Sequence, residues 1–131
     1  MTGVRFERTA RGGATEGWAA GTDRVHLRRL RRGQPEPDWE IDLHGLTARE
    51  ARAALRAAIA EAYAEGARCG LVIHGRGHGS EAGAVLREGV PEWLTAPPTG
   101  ARVLAFTPAL PRDGGEGATY VLLRRLRAER D

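Results

Sequence analysis

Ile41-Asp42-Leu43-His44-Gly45-Leu46 alternates apolar and polar residues up to a glycine. Alternation with period two marks a short strand with one buried face. Asp42 and His44 are two apart, so on a strand both side chains leave from the other face. Gly45 lets the backbone turn away in a conformation that other residues resist. A carboxylate beside an imidazole at a strand end suits proton transfer, or the holding of a phosphate or a metal. The same pattern also suits a plain polar face on an edge strand, and spacing alone does not choose between the two.

Downstream, Thr47 and Glu50 form a capping-box pair, so a helix starts there. It runs to about Glu65, where Gly66 stops it, with Ala51, Leu55, Ala58, Ile59 and Ala62 as the buried stripe. Arg49, Arg52 and Arg56 recur on another side of that helix. Such a stripe is a solvated face by default, but its start beside Asp42 and His44 also suits contact with a polyanion. Residues 69–74, Cys-Gly-Leu-Val-Ile-His, are a continuous apolar run, the pattern of a strand covered on both faces. Strand, helix and buried strand imply a βαβ unit with a parallel pair.

The second strand leads into His74-Gly75-Arg76-Gly77-His78-Gly79-Ser80, and a helix follows. Glycines at alternate positions let the backbone approach a ligand. N–H groups at a helix start attract an anion. The loop lacks the glycine spacing of the dinucleotide fingerprint and the Lys of the ATP-binding loop. In a parallel pair the C-terminal ends of both strands lie on one side, where open α/β sheets bind ligands. Asp42, His44 and the glycine loop are therefore expected at one sheet edge.

The remainder completes the fold class. Val85, Leu86 and Val90 give the apolar side of the second helix, which Pro91 is expected to end or kink. Trp93 and Leu94 continue the core. Val103-Leu104-Ala105-Phe106 reads as a third strand and Thr119-Tyr120-Val121-Leu122-Leu123 as a fourth. The short Gly-rich turn at 113–118 makes those two antiparallel. The expected order is β-α-β-α-β-β, a two-layer α/β sandwich with a mixed four-stranded sheet. An Arg-rich tail follows, carrying Arg124, Arg125, Arg127 and Arg130.

The 131 residues suit one core, and no apolar run approaches the roughly 18 residues of a membrane span. With no signal-peptide pattern at the start, a cytoplasmic, monomeric protein without a membrane partner is expected. The single cysteine, Cys69, rules out an internal disulfide and reads as buried and inert. Every basic side chain other than histidine is Arg. Residues 1–38 hold eight Arg against five acids, and residues 39–131 hold twelve of each, so the surplus of three sits in the N-terminal arm. Residues 1–23 lack apolar periodicity and read as loosely attached. Residues 23–33 read as a short basic helix. Asp23 caps it, Leu27 and Leu30 form its apolar side, and Arg28, Arg29, Arg31 and Arg32 are set against a phosphate backbone or plain solvent. The expected division is an Arg-rich, partly disordered arm at 1–38, a compact domain at 39–125 and a charged tail at 126–131.

Over residues 39 to about 125 the chain resembles the Smr (small MutS-related) domain family. The resemblance rests on Ile41-Asp42-Leu43-His44-Gly45 with Thr47 and Glu50-Ala51, on His74-Gly75-Arg76-Gly77, on Leu86-Arg87 and Trp93-Leu94, and on Gly114-Gly115-Glu116-Gly117-Ala118 leading into Val121-Leu122-Leu123. It implies a fold similar to the C-terminal domain of a bacterial translation initiation factor. It also implies nucleic-acid binding and, for many members, nicking or cleavage of DNA or RNA. The family's Asp-Leu-His element falls on Asp42-Leu43-His44 and its Gly-x-Gly loop on Gly75-Arg76-Gly77. Many members have Thr before that loop, where this chain has His74, an added imidazole of open role. The arm resembles the Arg-rich lead-in of bacterial stand-alone members. The absence of a MutS-like ATPase segment implies that form.

The expected chemistry follows from these residue types. A two-metal nuclease needs several converging carboxylates, and the site offers Asp42 and, as a further candidate, Glu116. Acid–base catalysis at phosphorus fits better. His44 acts near neutral pH, Asp42 orients it and His74 is a third catalytic candidate. Gly75, Arg76, Gly77, His78, Gly79 and Ser80 would hold the phosphate, with Arg49, Arg52, Arg28, Arg29, Arg31 and Arg32 as further nucleic-acid contacts. Attack by a 2′-hydroxyl would require RNA. A single Mg²⁺ or Mn²⁺ held by Asp42 and His44 is the alternative and would permit DNA nicking, although nothing in the sequence requires a cofactor. The expected partner is nucleic acid, RNA or DNA, or a ribosome, and the competing function is a binding module that does not cut.

Overall fold

Alternation along the strands sorts side chains onto two faces of one sheet, and both faces are covered. The structure, a computed structural model, describes residues 3–77 and 81–126. Its strands are β1 (Phe6–Arg11), β2 (Ala14–Ala19), β3 (Trp39–Asp42), β4 (Cys69–Ile73), β5 (Val103–Pro108) and β6 (Ala118–Leu123). Its helices are α1 (Arg24–Arg31), α2 (Ala48–Ala64) and α3 (Glu81–Thr95). The sheet order is β1-β2-β5-β6-β4-β3. β3 and β4 are parallel, with Asp42 opposite Ile73, and the other neighbours are antiparallel.

On one face Val72, Phe106, Val121 and Leu123 meet Leu55 and Ile59 of α2 and Leu86, Val90 and Leu94 of α3. On the other, Cys69, Leu71, Tyr120 and Leu122 meet Leu27 and Leu30 of α1. The expected βαβ unit, the parallel pair and the antiparallel final pair are all present in this mixed α/β sandwich. Thr47 and Glu50 close the capping box of α2 through bonds of 3.1 and 3.0 Å. Cys69 is buried among apolar neighbours, which pushes its thiol up to about 12.

Three expectations need correction. The sheet has six strands rather than four, because residues 6–19, expected to be loose, form a hairpin that β2 attaches to β5. The turn is Gly12-Gly13, of the two-residue kind that matches strand twist. The pattern was hidden because β1 is an exposed edge strand and the inward residues of β2 are Glu16, Gly17 and Ala19. Gly17 is needed there, since a Cβ would lie 2.7 Å from the Phe106 ring. Pro91 does not end α3, which continues to Thr95, where Thr95 Oγ1 donates to the Pro91 carbonyl at 3.1 Å. Val85 does not join the apolar side and is exposed, because the buried stripe runs Leu86, Val90, Leu94 at four-residue spacing. His78, Gly79, Ser80, Arg127 and Arg130 lie outside the described residues.

α1 is held to the sheet by more than its two leucines. Asp23 caps it through the Val25 N–H at 3.0 Å, and the Arg24 guanidinium lies 4.2 Å from the centre of the Trp18 ring. Arg31 reaches the buried carboxylate of Glu16 on β2 through Nε at 3.1 Å and also through Nη2. Thr107 of β5 donates to the same carboxylate at 2.9 Å. Burial works to raise Glu16, but the hydrogen bonds from Arg31 and Thr107 outweigh it and hold the carboxyl below its ordinary range.

Candidate functional site

Parallel pairing brings the ends of β3 and β4 together. Leu43 N–H bonds the Ile73 carbonyl at 2.7 Å, so the residues after Asp42 and after Ile73 leave the sheet side by side. Asp42 Oδ1 accepts the backbone N–H of His44 at 3.0 Å and faces His44 Nδ1 at 2.7 Å. A carboxylate only accepts, so Nδ1 is the donor in this contact and Nε2 is the ring nitrogen left outside it. The His44 side chain is 72% exposed and reaches solvent freely. The side-chain and backbone hydrogen bonds from His44 hold Asp42 below its ordinary value. The dyad thus ties up one ring nitrogen of His44 and leaves the other open.

The next loop begins at His74, whose placement differs in kind. His74 is buried, with Nδ1 2.8 Å from the Gly75 carbonyl and Nε2 2.9 Å from Thr119 Oγ1. The carbonyl must accept, so Nδ1–H donates to it and the Thr119 hydroxyl donates to Nε2. Burial pushes this imidazole below its ordinary value. Its geometry fits a wedge that shapes the loop. The His74 and Gly75 N–H groups both bond the Gly117 carbonyl, at 3.0 and 2.9 Å. Gly75 and Gly77 take φ of +85° and +83°, which side chains resist. Arg76 is exposed, and its guanidinium makes no hydrogen bond or ion pair with a described residue.

Arg87 of α3 ties the loop down. Its Nη1 donates to the Arg76 carbonyl at 3.1 Å, and its Nη2 reaches the Gly13 carbonyl and, at 3.2 Å, Glu116 Oε1. Glu116 also accepts the Gly13 N–H at 3.3 Å. The bonds from Arg87 and Gly13 hold the Glu116 carboxyl below its ordinary value. Glu116 therefore stands in a clasp joining the hairpin turn, α3 and the glycine loop. Gly13 and Arg87 wall a cleft of ≈ 510 Å³ with Thr15, His74, Arg76, Gly77 and Thr119, and Asp42, His44 and Glu116 are not among its lining residues. Sequence reading gave Arg87 no role beyond the family pattern and did not single out Gly13 or Thr119. Both meet the site through long-range pairing that leaves no local signal.

The remaining candidates are dispersed. Arg49 and Arg52 line a separate depression with Arg56 and Trp93. Arg28 and Arg29 of α1 and Arg32 just after it are exposed, across the sheet from α2 and α3, and Arg31 is spent on Glu16. Among the described residues, no three His, Cys, Asp or Glu side chains converge to hold a metal ion. No helix among them is long and apolar enough to cross a membrane.

Comparison with known proteins bears on this arrangement. The family model for the Smr domain matches residues 41–124. The ribosome rescue factor SmrB of Yersinia enterocolitica is 41% identical over 103 residues, covering 79% of this chain and 54% of that protein. The chain spans about half the length of the curated relatives it matches. Among solved structures, the stand-alone small MutS-related protein YdaL from Escherichia coli is similar, with a TM-score of 0.72 and 34% identity. That match covers 84% of this chain and 82% of that one. The Smr domain of Thermus thermophilus MutS2 gives a TM-score of 0.55 at 39% identity, covering 65% of this chain and 96% of that one.

Proposed function

Because the chain belongs to the Smr domain family, we propose that it acts on RNA in ribosome rescue, as an endoribonuclease whose general base is His44. The observation that carries this reading is the Asp42–His44 contact of 2.7 Å, which leaves Nε2 open at the sheet edge shared with the glycine loop. In this mechanism Nε2 removes the proton of a 2′-hydroxyl, and the freed oxygen attacks the adjacent phosphorus. The bond to the 5′-oxygen breaks, and that oxygen leaves with a proton from solvent. Arg76 and the loop N–H groups offset the charge that grows on phosphate. Asp42 keeps Nδ1 protonated and stabilises the imidazolium that forms.

The test is the chemistry of the ends. Cleavage should give 2′,3′-cyclic phosphate and 5′-hydroxyl products, and a 2′-O-methyl group at the cut position should block it. Products with 5′-phosphate would point instead to water attack, with a single divalent ion held by Asp42 and His44. A second reading is a module that docks on RNA or a ribosome without cutting. Its support is the name of the relatives, which speaks of ribosome rescue and not of cleavage. It predicts gel shifts without product, and no change in either on Asp42→Ala.

A further inference from the structure

At the sheet end opposite Asp42 lies a second hollow of ≈ 690 Å³, lined by His26, Tyr63, Arg68, Leu104, Arg124 and Arg125 among others. It stands where β4 begins and β6 ends, whereas Ala118, at the start of β6, pairs with Ile73 at the catalytic edge. Among the described residues, no Asp or Glu lines it. The guanidinium groups of Arg68, Arg124 and Arg125 make no hydrogen bond or ion pair with a described residue. Arg102 lies beside it with its guanidinium 5.9 Å from the centre of the Tyr63 ring. Burial and the neighbouring Arg125 charge both push Arg68 below its ordinary value, so the cluster repels itself. Elsewhere the chain neutralises its inward arginines, as with Arg31 on Glu16 and Arg87 on Glu116. Here, among the described residues, no carboxylate lines the concavity in which the cations stand together, and the nearby Asp38 carboxylate meets only the Arg68 backbone N–H, at 3.4 Å.

We propose that this hollow is a second, non-catalytic docking site for the phosphate backbone of RNA, with Arg68, Arg124 and Arg125 as its contacts. This rests on the reading that the chain acts on RNA. Guanidinium groups bind phosphate oxygens through paired N–H donors. Tyr63 adds a ring face for a base or ribose. A six-residue strand is about 20 Å long, so the hollow and the catalytic edge lie about that far apart along β6. At about 3.4 Å per nucleotide, an RNA strand that stays stacked spans that distance with about six nucleotides. A tetranucleotide engages only one.

The experiment measures binding of labelled single-stranded RNA of 20 and of 4 nucleotides by fluorescence anisotropy, in EDTA, from 50 to 200 mM salt. The full chain is compared with Arg124→Gln/Arg125→Gln and, separately, with Arg68→Gln. Thermal melts establish that each variant is folded. The expected result for the double variant is about tenfold weaker binding of the 20-mer and a log–log salt slope shallower by about 1.4, at roughly 0.7 per lost contact. Arg68→Gln should shift both in the same direction by about half, and the tetranucleotide, which bridges no second site, should weaken less than the 20-mer. Unchanged affinity and slope for the 20-mer in folded variants would overturn the proposal while leaving the catalytic reading intact. So would equal weakening of both RNAs. Loss of binding to vesicles containing phosphatidylserine, with RNA binding unchanged, would assign the hollow to a lipid surface and also overturn it. If the unmodified chain bound neither RNA, the RNA reading itself would fall, and this proposal with it.

Discussion

Asp42 determines which nitrogen of His44 faces outward, and the proposed activity depends on that choice. Asp42→Asn keeps the shape but can donate to Nδ1 and turn the proton toward the reacting side. Single-turnover cleavage should then slow by about a hundredfold or more, with RNA affinity unchanged. His74 offers a different test. Its folded-state value lies below the ordinary imidazole value of about 6.5. The unfolded chain therefore takes up a proton at a higher pH than the native one. The stability His74 contributes is fully present above about 6.5 and is lost as pH falls through the lowered native value. Thermal melts at about pH 7 and pH 5 should show a drop that His74→Gln makes shallower. An equal drop in both proteins would mean that His74 is not held neutral by its burial.

The hairpin is where sequence and structure part most, whereas α1 forms as its Asp23 cap and its Leu27 and Leu30 side led one to expect. Alternation, the capping box and the apolar run at 69–73 were enough to place β3, α2 and β4, but β3 ends at Asp42, so His44 meets Asp42 through the turn that follows and not along a strand face. The burial of His74 was not legible, because its partner Thr119 comes from β6, 45 residues on. Glu116 read as a candidate for chemistry, yet its partners include the Gly13 N–H, 103 residues away. The hairpin was missed because its inward carboxylate is stabilised by Arg31 and Thr107, a satisfaction that no apolar pattern reports. Glu16→Ala should strand the half-buried Arg31 and lower stability by about 3 kcal/mol in urea unfolding. Glu16→Gln, which keeps an acceptor, should cost less. On β4, Gly70→Ala would put a Cβ 2.0 Å from the Trp39 ring, and a loss of about 1–3 kcal/mol is expected by the same measurement. Arg87→Ala should free the hairpin turn from the glycine loop, seen as faster amide exchange at Gly13 and Gly75.

At the scale of the molecule, one sheet carries two charged ends, to which the proposals above give different tasks. The end that holds Asp42 and His44 is built from fixed hydrogen bonds around one open nitrogen. The end that holds Arg124 and Arg125 gathers guanidinium groups that pair with no described residue. Chemistry should belong to the first and reach along the RNA to the second. The most direct test of the catalytic claim is cleavage of labelled single-stranded RNA in EDTA, comparing the unmodified chain with Asp42→Ala/His44→Ala. Cutting that persists in EDTA and disappears in the double variant, while both proteins still shift the RNA, is the expected result. Cutting that survives the double substitution, or an unmodified chain that binds RNA and leaves it whole, would contradict the assignment of His44 as the base.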